Sequence, residues 1–352
     1  MSQPRSLDAA DGAAADLRAM PDPSDPRAVA QAVLFEVRRV IVGQDAMLER
    51  ILVGLLTGGH VLLEGVPGLA KTLTIKTLAD VVGGSFKRIQ FTPDLMPSDL
   101  VGTRIYRPSD GTFETELGPV FANFLLADEI NRAPAKVQSA LLEVMQERQV
   151  TIAGVTHPVP APFIVLATEN PIEAEGTYPL PEAQVDRFML KVVVGYPSPM
   201  EEAQIVLRSI HPDLPPREVL DAAGLAALQQ RVHEIYVDPR VVSYAVGLVD
   251  ATRRLTYWGA PELDEYVTYG ASPRGSINLI HAARALAVLR GRRYVLPADV
   301  IELAPDVLRH RMVLSYAALS DGITPDRVIA RVLELVPVPQ LELAGERTAT
   351  PA

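Results

Sequence analysis

The sequence contains no cysteine. Disulfides, thiolate metal sites and cysteine nucleophiles are thereby excluded. Aromatic residues make up only 5% of the chain, with Trp258 the single tryptophan, so a surface built to stack nucleic-acid bases is not expected. Basic residues are outnumbered: 33 Lys and Arg stand against 43 Asp and Glu, for a net charge of −10. A nucleic-acid track wants a basic footprint, and this balance leaves room only for a local basic patch. No apolar run is long enough to span a bilayer; the longest uncharged one, Ile51–Leu63, is broken by Gly58-Gly59. A secretory-type apolar core is missing from the N-terminal stretch, because Asp8, Asp11, Asp16 and Arg18 interrupt it. Histidines are few and none is spaced like a pair of metal ligands. A soluble, cytoplasmic protein is expected.

What is present is apolar enough for sizeable cores, at 48% hydrophobic over 352 residues, a length that suits roughly two domains. One stretch organises the rest. His60–Leu63 reads as a short buried strand. Gly65-Val66-Pro67-Gly68-Leu69-Ala70-Lys71-Thr72 follows it, and Leu73–Ala79 continues as a helix. Strand, glycine-bearing turn and helix opening on Lys-Thr make a phosphate cradle: backbone N–H groups point at the anion and the helix dipole favours negative charge there. In that arrangement Lys71 reaches the β- and γ-phosphates and the Thr72 hydroxyl takes Mg²⁺. Gly65 through Leu73 is the candidate nucleotide contact. Ala70 stands where the pattern wants a second glycine, and alanine accepts a left-handed backbone less readily.

Phe124–Asp128 is an apolar strand that ends in Asp128-Glu129, 57 residues beyond Lys71. Together these acids supply the second half of a nucleotide-hydrolysis site, Asp128 for the Mg²⁺ sphere and Glu129 to take a proton from the attacking water. Phe163–Thr168 reads as a buried parallel strand by its unbroken apolarity. It delivers Glu169-Asn170-Pro171 to the same sheet edge as Lys71 and Asp128, where the Asn170 amide can hold that water. Ser24-Asp25-Pro26 reads as a helix start. Two hairpins are expected, one turning at Pro108-Ser109-Asp110-Gly111 and one around Gly154. The first is polar and a candidate contact loop. Gly195-Tyr196-Pro197 marks the expected domain boundary, and beyond it the pattern is helical throughout.

These motifs resemble those of MoxR-type AAA+ ATPases, in the helix-2-insert clade. The resemblance rests on Glu64–Thr72, Asp128–Ala133, Ala167–Pro171, Leu180–Phe188 and Ser272-Pro273-Arg274, and it covers about Val29 to Pro337. Alanine is usual at the place of Ala70 in this family. The resemblance implies an α/β fold: a three-layer αβα core with a parallel five-stranded sheet, followed by an all-α lid. It implies a core over 27–196, with a helix-2 insert near 96–118 and a pre-sensor-1 hairpin near 149–160, a lid over 197–337, and tails at 1–26 and 338–352. Carried over, Lys71 and Thr72 resemble the Walker A pair, Asp128 and Glu129 the Walker B pair, Asn170 sensor 1 and Arg274 sensor 2. Arg187 resembles the arginine finger that acts on a neighbouring subunit's nucleotide, with Arg132 the alternative. In such ring ATPases the residues before the second helix often touch adenine, which makes Ile41, Val42 and Gln44 candidates; an ordinary inter-helix turn accounts for them equally well. ATP and Mg²⁺ are the implied cofactors, a homohexameric ring the implied assembly, and a protein with a von Willebrand factor A domain the implied partner.

The function expected on this basis is chaperone-like remodelling, maturation or metal insertion of client proteins. A magnesium-chelatase-like subunit is a related alternative. A DNA-dependent motor is an alternative of another class, and the acidic balance and scarce aromatics argue against it. A P-loop kinase would leave Asn170, Arg187 and Arg274 without a task.

Overall fold

The computed structural model describes residues 25–171, 176–210 and 215–341. The tail expected before residue 25 and the end beyond 341 lie outside the described residues. Helix α1 (Pro26–Val40) opens as expected: the Asp25 side chain accepts the Arg27 N–H, and Pro26 stands first in the helix. Val29, Val33 and Val37 are buried on one face. Glu36 is buried with them, and Arg39 (2.6 Å) and Arg217 (2.9 Å) meet its carboxylate, as a buried charge requires. Helix α2 (Asp45–Thr57) ends at Gly58, which is left-handed.

Five strands form the central sheet: β1 (Val61–Glu64), β2 (Phe86–Gln90), β5 (Phe124–Asp128), β8 (Ile164–Glu169) and β9 (Leu190–Val193). Their order is β2-β5-β8-β1-β9, and every pairing is parallel. β5 is buried along its whole length, as a strand covered on both faces must be. Leu125 and Ala127 join one cluster with Val137, Leu141 and Met145 of a helix over Ala135–Glu147. The register sets Gln90 beside Asp128 and Glu64 beside Glu169, so the carboxyl ends of the strands bring acids and amides to one edge. Two antiparallel hairpins, β3–β4 (Gly102–Arg107, Thr112–Leu117) and β6–β7 (Gln149–Ile152, Val155–Pro158), are inserted between these strands. On the first, Tyr106 and Phe113 pair across the strands and both are exposed.

His60, just before β1, is buried. Its Nδ1 accepts the Val165 N–H at 2.9 Å and its Nε2 lies 3.2 Å from the Met145 carbonyl. A neutral ring protonated on Nε2 satisfies both. Burial, helped by the nearby Arg148 charge, lowers its pKa to about 3. A histidine with a depressed folded-state pKa contributes its full stability above the ordinary value near 6.5 and loses it as pH falls toward 3. The expected loss is roughly 2–3 kcal/mol by pH 4.5. Thermal unfolding from pH 7 to 4.5 checks this, with a shallower slope expected for His60→Gln.

The chain divides into two units, one running through Ile235 and including Arg284–Arg293, the other comprising Tyr236–Ala283 and the chain from Tyr294 onward. Gly195–Pro197 thus falls inside the first unit. The second unit is built mainly of helices, among them Pro239–Ala251, Pro297–Leu308 and Pro325–Leu335. Its described residues depart from the all-helical expectation where Val267–Tyr269 pairs antiparallel with Val313–Leu314. Strands of three and two residues are too short to register as a period of two. Among the described residues, no helix is long and apolar enough to cross a membrane.

Candidate active site

β1 hands the chain to the phosphate loop at Gly65. A Cβ on Gly65 would lie 2.9 Å from the Val194 carbonyl oxygen, so only glycine fits between β1 and the exit of β9. Gly68 has φ +86°, which glycine alone adopts freely. Ala70 is left-handed (φ 55°, ψ 17°) at the cap of the helix Lys71–Val81 and offers no side chain to its first amides. Those amides therefore face outward as an anion cradle. The left-handed backbone costs a non-glycine residue about 1–2 kcal/mol. Ala70→Gly is expected to stabilise the nucleotide-free chain by about 0.5–1 kcal/mol once glycine's extra entropy is deducted, as chemical denaturation would measure.

Lys71 Nζ donates to the Gly65 carbonyl at 2.5 Å and lies 3.4 Å from that of Glu169. Burial lowers the Lys71 pKa, while Asp128, Glu129 and Glu64 pull the other way. The Thr72 hydroxyl lies 3.4 Å from Asp128 Oδ2. These are hard oxygen donors from two elements, which suits Mg²⁺: that ion takes one or two protein oxygens and completes its shell with water and phosphate. Among the described residues, no group of three or more acids or histidines is placed to hold a metal on its own.

Asp128 is held on both oxygens. Thr168 Oγ1 donates to Oδ1 at 2.6 Å, and Arg88 donates to Oδ2 from Nη2 (2.7 Å) and Nε (3.1 Å). Glu129 is left-handed (φ 54°, ψ 52°), and its N–H donates to the same Thr168 hydroxyl at 2.8 Å. Its carboxylate accepts from Gln90 Nε2 at 2.7 Å and pairs with Arg132 Nε at 2.9 Å. A strained backbone at a paired acid is the kind of outlier found at working sites. Asn170 is buried just beyond the end of β8. Arg187 follows the short helix Glu182–Val185, with its N–H on the Gln184 carbonyl. Arg274 is the second residue of the helix Pro273–Leu289 and belongs to the second unit.

Beside the phosphate loop lies a cavity of about 430 Å³. Ile41, Val42 and Gln44 line it together with Leu69, Ala70 and Leu73, and its size and apolar character fit a nucleoside. Gln44 donates its side-chain N–H to the Gly195 carbonyl at 2.9 Å, which fixes the approach to helix α2.

Residues 60–190 match the model of the ATPase family associated with various cellular activities (AAA), and residues 261–332 match that of the AAA lid domain. The chain is 58% identical over 317 residues to the chaperone MoxR1 of Mycobacterium tuberculosis, covering 90% of this chain and 84% of that one. This chain belongs to the MoxR family of AAA+ ATPases. Its similarity to the YeaC protein of Bacillus subtilis is 44% over 305 residues, 86% of this chain and 92% of that protein. A crystal structure of a candidate ATPase from Cytophaga hutchinsonii matches with a TM-score of 0.85 and 45% identity, over 94% of this chain and 99% of that one.

For a MoxR-type ATPase, the residues that sequence reasoning misses here are the ones that reach across strands. Arg88, Gln90 and Thr168 each contact the Asp128-Glu129 pair from β2 or β8. The available signal was a threonine near the end of an apolar strand and polar residues on the mixed strand β2, and it becomes specific only once the register is known.

Proposed function

We propose that this MoxR-type ATPase couples ATP hydrolysis, at sites shared between subunits of a ring, to remodelling or maturation of a client protein. Lys71 and the loop amides would bind the phosphates. Thr72 and Asp128 would hold Mg²⁺, which when bound neutralises charge on the phosphate oxygens. Glu129 would take a proton from water as its oxygen attacks the γ-phosphorus, with ADP leaving. Asn170 would orient that water, and Arg274 would sense the phosphate. Arg187 would reach the neighbour's nucleotide.

The observation that carries this reading is the convergence at one sheet edge of Lys71, Thr72, Asp128 and Glu129, the acids tied to the next strand through Thr168. The chaperone name of the Mycobacterium relative supports a client-directed role, and family resemblance supports a partner with a von Willebrand factor A domain. Measuring phosphate release per chain over a range of protein concentrations tests the shared site. The rate per chain is expected to rise as chains associate. Full turnover by a strictly monomeric chain overturns it.

A further inference from the structure

The ends of β1, β8 and β9 carry three charged side chains that no step above uses. Lys191 Nζ lies 2.6 Å from Glu64 Oε2 and 3.6 Å from Glu169 Oε2. All three are mostly buried, with side-chain exposures of 21% for Lys191, 27% for Glu64 and 16% for Glu169. Glu64 and Glu169 are register partners on adjacent parallel strands. Without a cation between them, two carboxylates would face each other in a partly desolvated place, and like charges there disfavour each other's ionised form. Burial, with the Glu64 charge adding to it, already pushes the Glu169 carboxyl up, while Lys191 opposes the shift.

The location of this bridge gives it a role. Glu64 is followed by Gly65, the first residue of the phosphate loop, and Glu169 by Asn170. The Gly65 N–H donates to the Glu169 carbonyl at 3.2 Å, and the Val194 N–H donates to that of Glu64 at 2.7 Å. Lys71 Nζ reaches the carbonyls of both Gly65 and Glu169. A cavity of about 410 Å³ opens alongside, lined by Glu64, Glu169, Asn170 and Lys191.

We infer that Lys191 is a positioning residue for ATP hydrolysis, sharing its charge between Glu64 and Glu169 so that the phosphate-loop strand and the strand carrying Asn170 keep a fixed spacing. It touches no substrate. Its action passes through the backbone of Gly65 and Asn170, and hydrolysis is sensitive to displacements of that kind: a shift of about 1 Å costs on the order of 100-fold in rate. The inference rests on the reading of the site given above.

The test uses the full chain and steady-state ATPase kinetics. Lys191→Met is expected to lower kcat about 10- to 100-fold and to change KM for ATP much less. Lys191→Arg should restore kcat to near wild type. Adding Glu169→Gln to Lys191→Met should recover part of the loss, because one of the two facing charges is then gone. An unchanged kcat in Lys191→Met, or a double variant no faster than the single one, overturns the inference. If Lys191→Met does not fold, Lys191→Gln takes its place with the same two outcomes. Retained ATP binding without hydrolysis in Glu129→Gln establishes the site independently, so a negative result at Lys191 then counts against this inference alone.

Discussion

Glu129→Gln is expected to bind ATP as the wild type does and to hydrolyse almost none of it. The substitution keeps the shape of the side chain while removing its capacity to accept a proton and the charge that pairs with Arg132. The loop proposed to grip the phosphates, Gly65 to Thr72, runs from the end of β1 into the helix Lys71–Val81 and should be untouched. Loss of a positioned general base costs typically 10²- to 10⁴-fold, or roughly 3–5 kcal/mol in the barrier. In the nucleotide-free chain the Glu129 carboxylate is occupied by Gln90 at 2.7 Å and Arg132 at 2.9 Å. Both contacts fall on Oε2, so they fix the carboxylate's orientation while Oε1 stays the oxygen able to meet a water. A Gln90→Ala companion should therefore keep the base and lose only part of its restraint. Phosphate release together with fluorescent-nucleotide binding reads both quantities, and turnover at the wild-type rate in Glu129→Gln would remove Glu129 from the mechanism.

The second large effect is expected at Arg187. A guanidinium supplied by a neighbour stabilises charge spread over the transferring phosphoryl oxygens, and comparable fingers are worth about 10³- to 10⁵-fold. Two arginines compete for the role by sequence, and we propose that Arg187 carries it. Arg132 is engaged within its own chain, 2.9 Å from the Glu129 carboxylate. Arg187 stands just past the short helix Glu182–Val185. Arg187→Ala should abolish turnover while ATP still binds, and Arg132→Ala should have the smaller effect. A mixing experiment distinguishes action across subunits from action within one. Arg187→Ala and Lys71→Ala are each expected to be inactive alone, yet a mixture should regain activity at interfaces where an intact phosphate loop meets an intact finger. No recovery on mixing would put the action of Arg187 within its own chain, and normal turnover by Arg187→Ala would return the role to Arg132.

Much of this site was legible in the sequence because its parts are contiguous. A phosphate loop is a local object: strand, turn and helix lie in Val61–Val81, and the residue pattern alone implies the cradle. Asp128-Glu129 and Asn170 were legible for a related reason, since an unbroken apolar strand announces where its carboxyl end falls. The contacts that hold these residues were not legible. Thr168 is the single threonine that ends an apolar run in the sequence, whereas in the fold its one hydroxyl fastens both Asp128 and Glu129. Arg88 and Lys191 read as ordinary charges on short strands until the register β2–β5 and β1–β9 is fixed. Pairing between distant strands is set by the whole sheet, so no local pattern could have named them. Ala70 illustrates the reverse case: the sequence flags a misfit with the glycine pattern, and the backbone does adopt the left-handed turn there, at φ 55°.

The place of β1 in the sheet has a consequence during synthesis. Its two neighbours are β8 and β9, the last strands of the sheet to be made. At ordinary translation speeds, the about 105 residues separating Val61 from its β8 partner Leu166 take on the order of ten seconds to emerge from the ribosome. Through that interval the apolar backbone of Val61–Leu63 has no ladder to join. The nascent chain must shelter it against early helices or a holding factor, so a stall in elongation within this window should send the polypeptide to aggregation rather than to slow folding.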